Sequence, residues 1–324
     1  MNALLKFGRK GCHAVLLVLA VVVLNFLLIR MAPGDPVETI AGTMGGMSDQ
    51  LRAQLIAEYG LDQPLWRQLA VYVGRIAHGD LGMSYFFNLP VTDLILDRLP
   101  ATLLLVVASV VVAFVLGTTL GVLAARKPHG LLSQAITVLS MMGHAAPVFW
   151  SGMMLVIVFA SVWPILPVSD MRSMAADSTG LAGVLDVAWH MVLPTVTLSL
   201  VYLAQYSRLS RASVLDVLGA DYIRTARAKG VSETAVLYVH ALRNALLPVV
   251  TVLGLQFGNV IAGAILVETV FNWPGLGRLA FDSILRRDYP TVLGILLGSA
   301  VMVVLMNQVT DFVYRLIDPR IRTA

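Results

Sequence analysis

A short basic segment with small side chains interrupts an otherwise apolar chain. The stretch DYIRTARAKG, residues 221–230, carries Arg224, Arg227 and Lys229 around two alanines and ends in glycine. Positive groups at this spacing can pair with the charges of a partner, and the small residues between them let a helix enter a groove on a second protein. The simpler interpretation is a set of positive anchors solvated among lipid headgroups.

Two helices and a sharp corner are predicted to hold this segment. A helix over Val214–Lys229 is predicted to stop at Gly230, because glycine readily adopts the conformation that ends a helix. A second helix is predicted to begin after Ser232 as N-cap and to continue towards Pro248. Positive anchors need no ordered corner, so the pattern favours a lever that transmits movement from another protein.

The composition is that of an integral membrane protein. Of the 324 residues, 58% are hydrophobic and only 13% are charged, which excludes a solvated surface around a single core. Six apolar stretches approach or exceed the roughly 20 residues that cross a bilayer. They cover residues 12–29, 101–125, 134–163, 187–207, 245–267 and 289–310. Pro147 and Pro194 predict kinks in the third and fourth stretches, and the single Cys12 excludes an intrachain disulfide.

The basic residues are distributed unevenly between the two sides of the membrane. With six crossings, 14 of the 23 Lys and Arg residues lie in the two termini and in the loops on the same side as the termini. The positive-inside rule therefore places both termini and residues 221–230 in the cytoplasm.

The hydrophilic region between the first two stretches, residues 30–100, is predicted to contain a turn and two amphipathic helices. The turn is Pro33–Pro36, and the helices run over Leu51–Tyr59 and Leu65–Ile76. Each helix has one apolar face, which either packs on the outer ends of the membrane helices or docks a soluble partner.

Small and polar residues inside the apolar stretches predict close packing. Glycine pairs four residues apart let helices approach closely. The pairs are Gly117 with Gly121, Gly254 with Gly258, and Gly294 with Gly298. Neutral polar residues such as Gln256 and Asn259 must find a partner inside the protein or line a wet cavity.

Several function classes are disfavoured by what the sequence lacks. The apolar stretches contain no carboxylate, which disfavours a carrier driven by protons or sodium. No phosphate-binding G-x-x-x-x-G-K-[ST] loop is present, nor a zinc-protease or serine-hydrolase motif. The energy for transport must then come from a partner that acts on the protein from outside the membrane.

At these residues the chain resembles the inner-membrane permease subunits of ABC importers, in the branch for dipeptides, oligopeptides, nickel and glutathione. The family's EAA loop, E-A-A-x-x-x-G with a later Leu-Pro, is matched by Arg224, Thr225, Ala226 and Gly230, followed by Leu247–Pro248. The first Glu is absent and the Leu-Pro comes late, as is typical of the peptide branch. Further matches are MAPGDP (31–36), YGLDQPLWRQ (59–68), HGDLGMS (78–84), LPATL (99–103), ETVFNWPGLGR (268–278), RRDYP (286–290) and DPRIR (318–322).

The resemblance implies an all-α, six-helix transmembrane domain of the type I ABC importer, with a MetI-like core. Residues 1–96 would form an anchor helix and a periplasmic helical region, and residues 97–318 the transmembrane domain with a coupling loop at about 208–248. The implied partners are a second, similar permease subunit, two cytoplasmic ATPase subunits that bind ATP and Mg, and an extracytoplasmic binding protein. The chain itself would hold no cofactor or metal, catalyse no reaction and bind no nucleic acid.

Two sets of functional residues are predicted, and the first of them is implied by the resemblance. Contact with the ATPase would come from Asp221, Tyr222, Arg224, Thr225, Ala226, Arg227, Ala228, Lys229 and Gly230, with Tyr222, Ala226 and Ala228 packed into it. The segment 268–278 has two helix-breaking glycines and a proline just outside the fifth stretch, and it is predicted to form a re-entrant or gate-like element that faces the binding protein. The candidate pathway or gate residues are Gln256, Asn259, Glu268, Trp273 and Pro274.

The cargo stays open at this point. Short peptides are the leading candidate because the match to dipeptide permeases is closest, while nickel or glutathione would suit the same motifs. The histidines are scattered over different segments and form no metal-binding pattern. An ion-coupled carrier and a membrane-embedded sensor or scaffold are the remaining alternatives.

Overall fold

The computed structural model describes residues 2–31, 63–173 and 180–317, and side chains within 11–28, 63–173, 180–253, 256, 260 and 263–308. Helices account for all the regular structure in these ranges. They are α1 (Asn2–Met31), α2 (Leu65–Ala77), α3 (Val91–Arg126), α4 (Leu131–Ala145), α5 (Val148–Val156), α6 (Leu181–Leu218), α7 (Asp221–Ala228), α8 (Glu233–Ala235), α9 (Leu242–Val270), α10 (Leu276–Leu285) and α11 (Tyr289–Ile317). Two π-helical segments, Ile157–Val162 and Val236–Ala241, follow α5 and α8. The predicted turn at 33–36 and helix at 51–59 lie outside the described residues.

The helices long and apolar enough to cross a membrane overlap the predicted stretches, although their bounds differ. Within the described part of the chain there are five, over 11–28, 91–126, 181–218, 233–253 and 289–308. A sixth span is reached if α4 and the segment Val148–Val162 are taken as one broken crossing, bent by 105°. The kink predicted at Pro147 in the third stretch is therefore a sharp break between two helices.

The break in the third stretch has a local cause. Ala146 is extended, with φ −73° and ψ 135°, and the next residue is Pro147. The proline ring disfavours helical geometry at the preceding residue and lacks an N–H to continue the ladder. Pro194, by contrast, lies inside the continuous helix α6.

The chain divides into two compact units, of which the first comprises residues 1–99 and 279–304. In it α2 packs against α1, and the rings of Phe26 and Tyr72 lie 5.9 Å apart. The prediction of an amphipathic helix from Leu65 is confirmed. The buried Asp288 accepts hydrogen bonds from the Ser84 hydroxyl at 2.5 Å and from the Thr291 hydroxyl at 2.7 Å. This carboxylate joins a loop to the start of α11.

The second unit comprises residues 100–278 and 305–324, and α6 is its central helix. The helices α4, α5 and α9 all pack against α6. The backbone of α6 also comes very close to α3, since a Cβ atom added at Gly121 would lie 2.4 Å from the Ser207 carbonyl oxygen. The predicted close approach at Gly117 and Gly121 is therefore confirmed, and only glycine fits there.

Candidate coupling surface and the turn after α9

The corner that holds residues 221–230 is built from separate short helices. The prediction of one helix over Val214–Lys229 is wrong, because α6 ends at Leu218 and α7 starts anew at Asp221. Between them Ala220 is extended, with ψ 150°. Gly219 weakens the helix at this point, and an acidic residue in the following first turn favours a new helix N-terminus.

The end of α7 and the start of α8 follow the sequence prediction. Gly230 has φ +77°, and its N–H donates to the Arg227 carbonyl oxygen at 2.9 Å. Ser232 is the N-cap of α8, where its hydroxyl accepts from the Ala235 N–H at 3.4 Å. The left-handed residue reverses the chain, and the serine caps the next helix. The corner is therefore an ordered element.

One face of α7 is buried against its own chain. Ile223 is fully buried and Ala226 is 9% exposed, and both pack against Val236 and Ala241 of the following π-helical segment. The side chain of Ala226 is thus already covered within the subunit. In this conformation it supports the shape of α7 and does not present a surface to a partner, which revises the packing expected for it.

The other face of α7 is exposed and carries most of the predicted contact residues. The exposed members of the set are Asp221, Tyr222, Arg224, Thr225, Arg227, Ala228, Lys229 and Gly230. The Tyr222 hydroxyl accepts a hydrogen bond from the Asn244 side-chain amide at 2.9 Å, which anchors the ring to α9. This face is the candidate coupling surface.

The charges on the coupling surface are not equivalent. Arg227 donates two hydrogen bonds to the Glu233 carboxylate, at 2.8 and 3.1 Å, across the turn at Gly230. This hydrogen-bonded carboxylate raises the pKa of Arg227 above its usual range. Arg224 lies 3.6 Å from Asp221 in an exposed pair, the kind of contact that water screens strongly. Arg227 therefore serves the corner, while Arg224 and Lys229 remain accessible to a partner.

The turn after α9 is held by a buried carboxylate. Glu268 accepts hydrogen bonds from the Thr102 hydroxyl at 2.7 Å and from the N–H groups of Gly277 at 2.6 Å and Arg278 at 3.2 Å. The Thr102 oxygen in turn accepts from the Leu276 N–H at 2.7 Å. The N–H groups of Gly277 and Arg278 belong to the first turn of α10, where they have no partner within the helix. Glu268 therefore caps that helix.

The remaining candidate gate residues divide between buried and partly buried positions. Trp273 is fully buried and donates through Nε1 to the Ala101 carbonyl oxygen at 2.9 Å. Gln256 is also buried, and its amide donates to the Gln205 side-chain oxygen at 2.5 Å, whereas Pro274 is half-buried. The side chain of Asn259 lies outside the described residues. Glu268 and Trp273 therefore cannot line a solvent-filled path in this conformation.

Three partners in these networks were missed by reasoning from the sequence. Glu233 could have been found, because it has opposite charge to Arg227 and follows it across a short glycine turn. Asn244 and Thr102 gave no such signal. They lie 22 and 166 residues away from the groups that they contact.

Comparison with known families identifies the chain. The family described as "Binding-protein-dependent transport system inner membrane component" matches residues 117–323, and its N-terminal companion, "Binding-prot-dependent transport system membrane comp, N-term", matches residues 4–106. The chain belongs to this family. The predicted identity, an ABC import permease of the inner membrane, is confirmed.

Individual members of the family are similar over nearly their full length. The "Dipeptide transport system permease protein DppB" of Escherichia coli (strain K12) is 44% identical over 94% of both chains. The "Di/tripeptide transport system permease protein DppB" of Pseudomonas aeruginosa (strain UCBPP-PA14) is 42% identical over 93% of this chain and 94% of that protein. The "Oligopeptide transport system permease protein AppB" of Bacillus subtilis (strain 168) is 38% identical over 97% and 98%.

Solved structures confirm the fold class. The MetNI methionine ABC transporter in an inward-facing conformation matches with a TM-score of 0.54 at 15% identity, covering 69% of this chain and 96% of the other. An amino acid ABC transporter solved with histidines matches with a TM-score of 0.51 at 14% identity, covering 69% and 94%. The family member described here thus has the all-α membrane fold of a type I ABC importer.

Proposed function

We propose that this permease subunit forms the translocation pathway for dipeptides and short oligopeptides across the cytoplasmic membrane. The observation that carries the proposal is the 44% identity, over 94% of both chains, to a dipeptide transport permease. Relatives named for di/tripeptides and oligopeptides are similar over comparable lengths. Import of nickel or glutathione by the same architecture is the alternative for the cargo.

The energy for import is proposed to come from a separate ATPase. In this proposal the ATPase subunits bind ATP and Mg, and the permease chain catalyses no reaction and holds no cofactor. The accessible face of α7 would contact the ATPase through Tyr222, Arg224, Thr225, Ala228 and Lys229. A rigid corner supports this role, because a partner can move a packed element as a unit.

The proposed assembly contains a second, homologous permease subunit, two ATPase subunits and an extracytoplasmic binding protein. Both termini are placed in the cytoplasm, which the excess of Lys and Arg in the segments sharing their side supports. The division at residues 96–97 into an anchor with a periplasmic region and a transmembrane domain belongs to the same proposal. Gln256, Asn259 and Pro274 stay candidates for the pathway or its gate.

Uptake into reconstituted vesicles tests the transport proposal. The chain is reconstituted with its partner subunits and binding protein, and entry of a labelled dipeptide is measured with enclosed ATP. Uptake should survive dissipation of the proton and sodium gradients and stop without ATP. Uptake that follows the gradients would indicate an ion-coupled carrier, and the absence of any flux would favour a sensor or scaffold. Competition by nickel or glutathione, but not by unlabelled dipeptide, would contradict the peptide assignment.

Site-directed crosslinking tests the coupling surface separately from the cargo. The chain has one cysteine, Cys12, so a Cys12→Ser background allows single cysteines to be placed on α7. Ala228→Cys, on the exposed face, should crosslink to the ATPase with a short bifunctional reagent. Ala226→Cys, on the buried face, is the matched control and should react weakly. Equal reactivity at both positions, or crosslinks from Ala228→Cys to lipid alone, would contradict the assignment.

A further inference from the structure

A cavity lies beside the coupling corner, between the loop after α3 and the start of α8. Its volume is about 600 Å³, and it is lined by charged and polar groups and by leucines. The polar lining comes from Arg126, Lys127, Ser133, Arg227, Glu233 and Thr234. All of these residues belong to the second compact unit.

The cavity has a net positive lining. Glu233 is the carboxylate in it, and its charge is matched by the two hydrogen bonds from Arg227. Arg126 and Lys127 are exposed, and no ion pair is formed by either with the parts of the chain that the structure describes. Two positive charges therefore remain available for an anion.

A buried hydroxyl in the cavity has no partner in the described part of the chain. Ser133 is 2% exposed, and its Oγ makes no hydrogen bond within the described residues. A buried hydroxyl without a partner is costly, so native proteins leave few of them without a ligand or water. Ser133 lies in the first turn of α4, whose N-cap Gly130 offers no side-chain oxygen to the free N–H groups. Free N–H groups at a helix start also favour an anion.

The turn that carries these groups is held in place from within the chain. The Gly130 N–H donates to the Lys127 carbonyl oxygen at 2.9 Å, and an Arg211 guanidinium N–H donates to the Pro128 carbonyl oxygen at 3.1 Å. The basic residues and the start of α4 therefore keep a defined separation without any ligand. This is the pre-organisation that a binding site needs.

An exposed apolar stripe leaves the cavity along α4. Leu132 lines the cavity and is 62% exposed, and Leu139 and Met142 follow on the same side of the helix at 68% and 63%. Residues seven and ten positions apart share a helix face. A ligand with a phosphate and long apolar chains would match both parts of this surface, whereas a free phosphate would use only the cavity.

We propose that this cavity binds the phosphate of an anionic membrane phospholipid, with Arg126 and Lys127 facing the phosphate, Ser133 donating a hydrogen bond to it, and the acyl chains lying along α4. Basic pockets at the ends of membrane helices bind lipid headgroups in this way. The ligand is distinct from any transported cargo. The proposal holds whichever substrate the importer carries.

Lipid titration of the purified full-length chain tests the proposal. The delipidated chain is titrated in detergent with phosphatidylglycerol, and bound lipid is counted by native mass spectrometry. Each cation near a lipid headgroup contributes about 1 kcal/mol, so the double variant Arg126→Gln, Lys127→Gln should bind roughly 30-fold more weakly. Ser133→Ala should weaken binding several-fold through loss of one hydrogen bond. Arg208→Gln, an exposed cation outside the cavity, is the matched control and should bind as the unaltered chain does.

Comparison of ligands distinguishes the sources of phosphate. Phosphatidylcholine should bind more weakly than phosphatidylglycerol, and inorganic phosphate at the same concentration should not displace the lipid. Equal binding of the two lipids, displacement by phosphate, or an unchanged affinity in the double variant would overturn the proposal. If the double variant binds lipid unchanged but no longer copurifies with the ATPase, the cavity belongs to the interface with the ATPase instead. Melting curves without lipid verify that each variant is folded.

Discussion

The conformation of Gly230 offers the sharpest test of the coupling corner. Its φ of +77° belongs to the left-handed region, and a Cβ atom added there would meet nothing within 4 Å. The cost of a side chain is therefore the backbone strain alone, about 1–2 kcal/mol for alanine. Destabilisation by that amount raises the ratio of molecules that have lost the corner conformation to those that keep it about 5- to 30-fold. Asparagine should cost less because it tolerates this region better.

Proline is the severe member of the series. Its φ near −65° cannot reach the observed value, and it lacks the N–H that Gly230 donates to Arg227 at 2.9 Å. We expect dipeptide uptake and transport-coupled ATP hydrolysis to fall in the order Gly, Asn, Ala, Pro, with both lost in Gly230→Pro. Each rate is normalised to the amount of subunit inserted in the membrane.

A second glycine provides the matched control for this series. Gly79 has φ +79° and, like Gly230, an open surrounding, so Gly79→Ala carries the same backbone strain far from α7 in sequence. ATPase copurification should be retained in Gly79→Ala and weakened in Gly230→Ala. Wild-type uptake and ATP hydrolysis in Gly230→Pro would refute the role assigned to the corner. Equal loss of the ATPase from both alanine variants would show that the effect comes from general destabilisation of the subunit and not from the corner.

Three further substitutions test the packing around the candidate sites. Ala226→Glu would bury a carboxylate among aliphatic side chains at a cost of about 3 kcal/mol or more, and should lower the melting temperature. The control is Ala228→Glu at an exposed position, which should leave the melting temperature unchanged. Thr102→Val leaves the buried Leu276 N–H without an acceptor and should lower the free energy of unfolding by about 1–3 kcal/mol, whereas Thr102→Ser should not. Gly121→Ala forces α3 and α6 apart and should cost about 1–3 kcal/mol in the same denaturation assay; an unchanged midpoint would contradict the close approach of these two helices.

The features that the sequence predicted well are those with a local cause. The stop at Gly230 and the cap at Ser232 depend on the conformational preference of one residue and on a hydrogen bond three residues away. The apolar stretches depend on length and composition alone. Such signals need no knowledge of distant contacts.

The features that it predicted poorly depend on neighbours that are distant in sequence. Nothing around Glu268 in the sequence indicated a buried helix cap, because the hydroxyl that completes it belongs to Thr102, 166 residues earlier. The exposed side of α7 could not be separated from its buried side either. That distinction depends on Val236 and Ala241 folding back over Ala226.

The packing of the corner explains how a push on α7 would reach the membrane helices. Two apolar clusters lie side by side here. One joins α7 to the π-helical segment Val236–Ala241, and the other joins α3, the end of α6, Leu237 of the same segment and the start of α9. Val217 and Leu218, in the last turn of α6, contact both clusters. Because close-packed interiors resist compression, we expect a displacement of α7 to reach α6 through these two residues and through Leu237. The helix α6 in turn contacts the glycines of α3 without spare space. We expect replacement of Leu218 by alanine to loosen that connection without altering the exposed face of α7, so that ATPase copurification is retained while transport-coupled ATP hydrolysis falls.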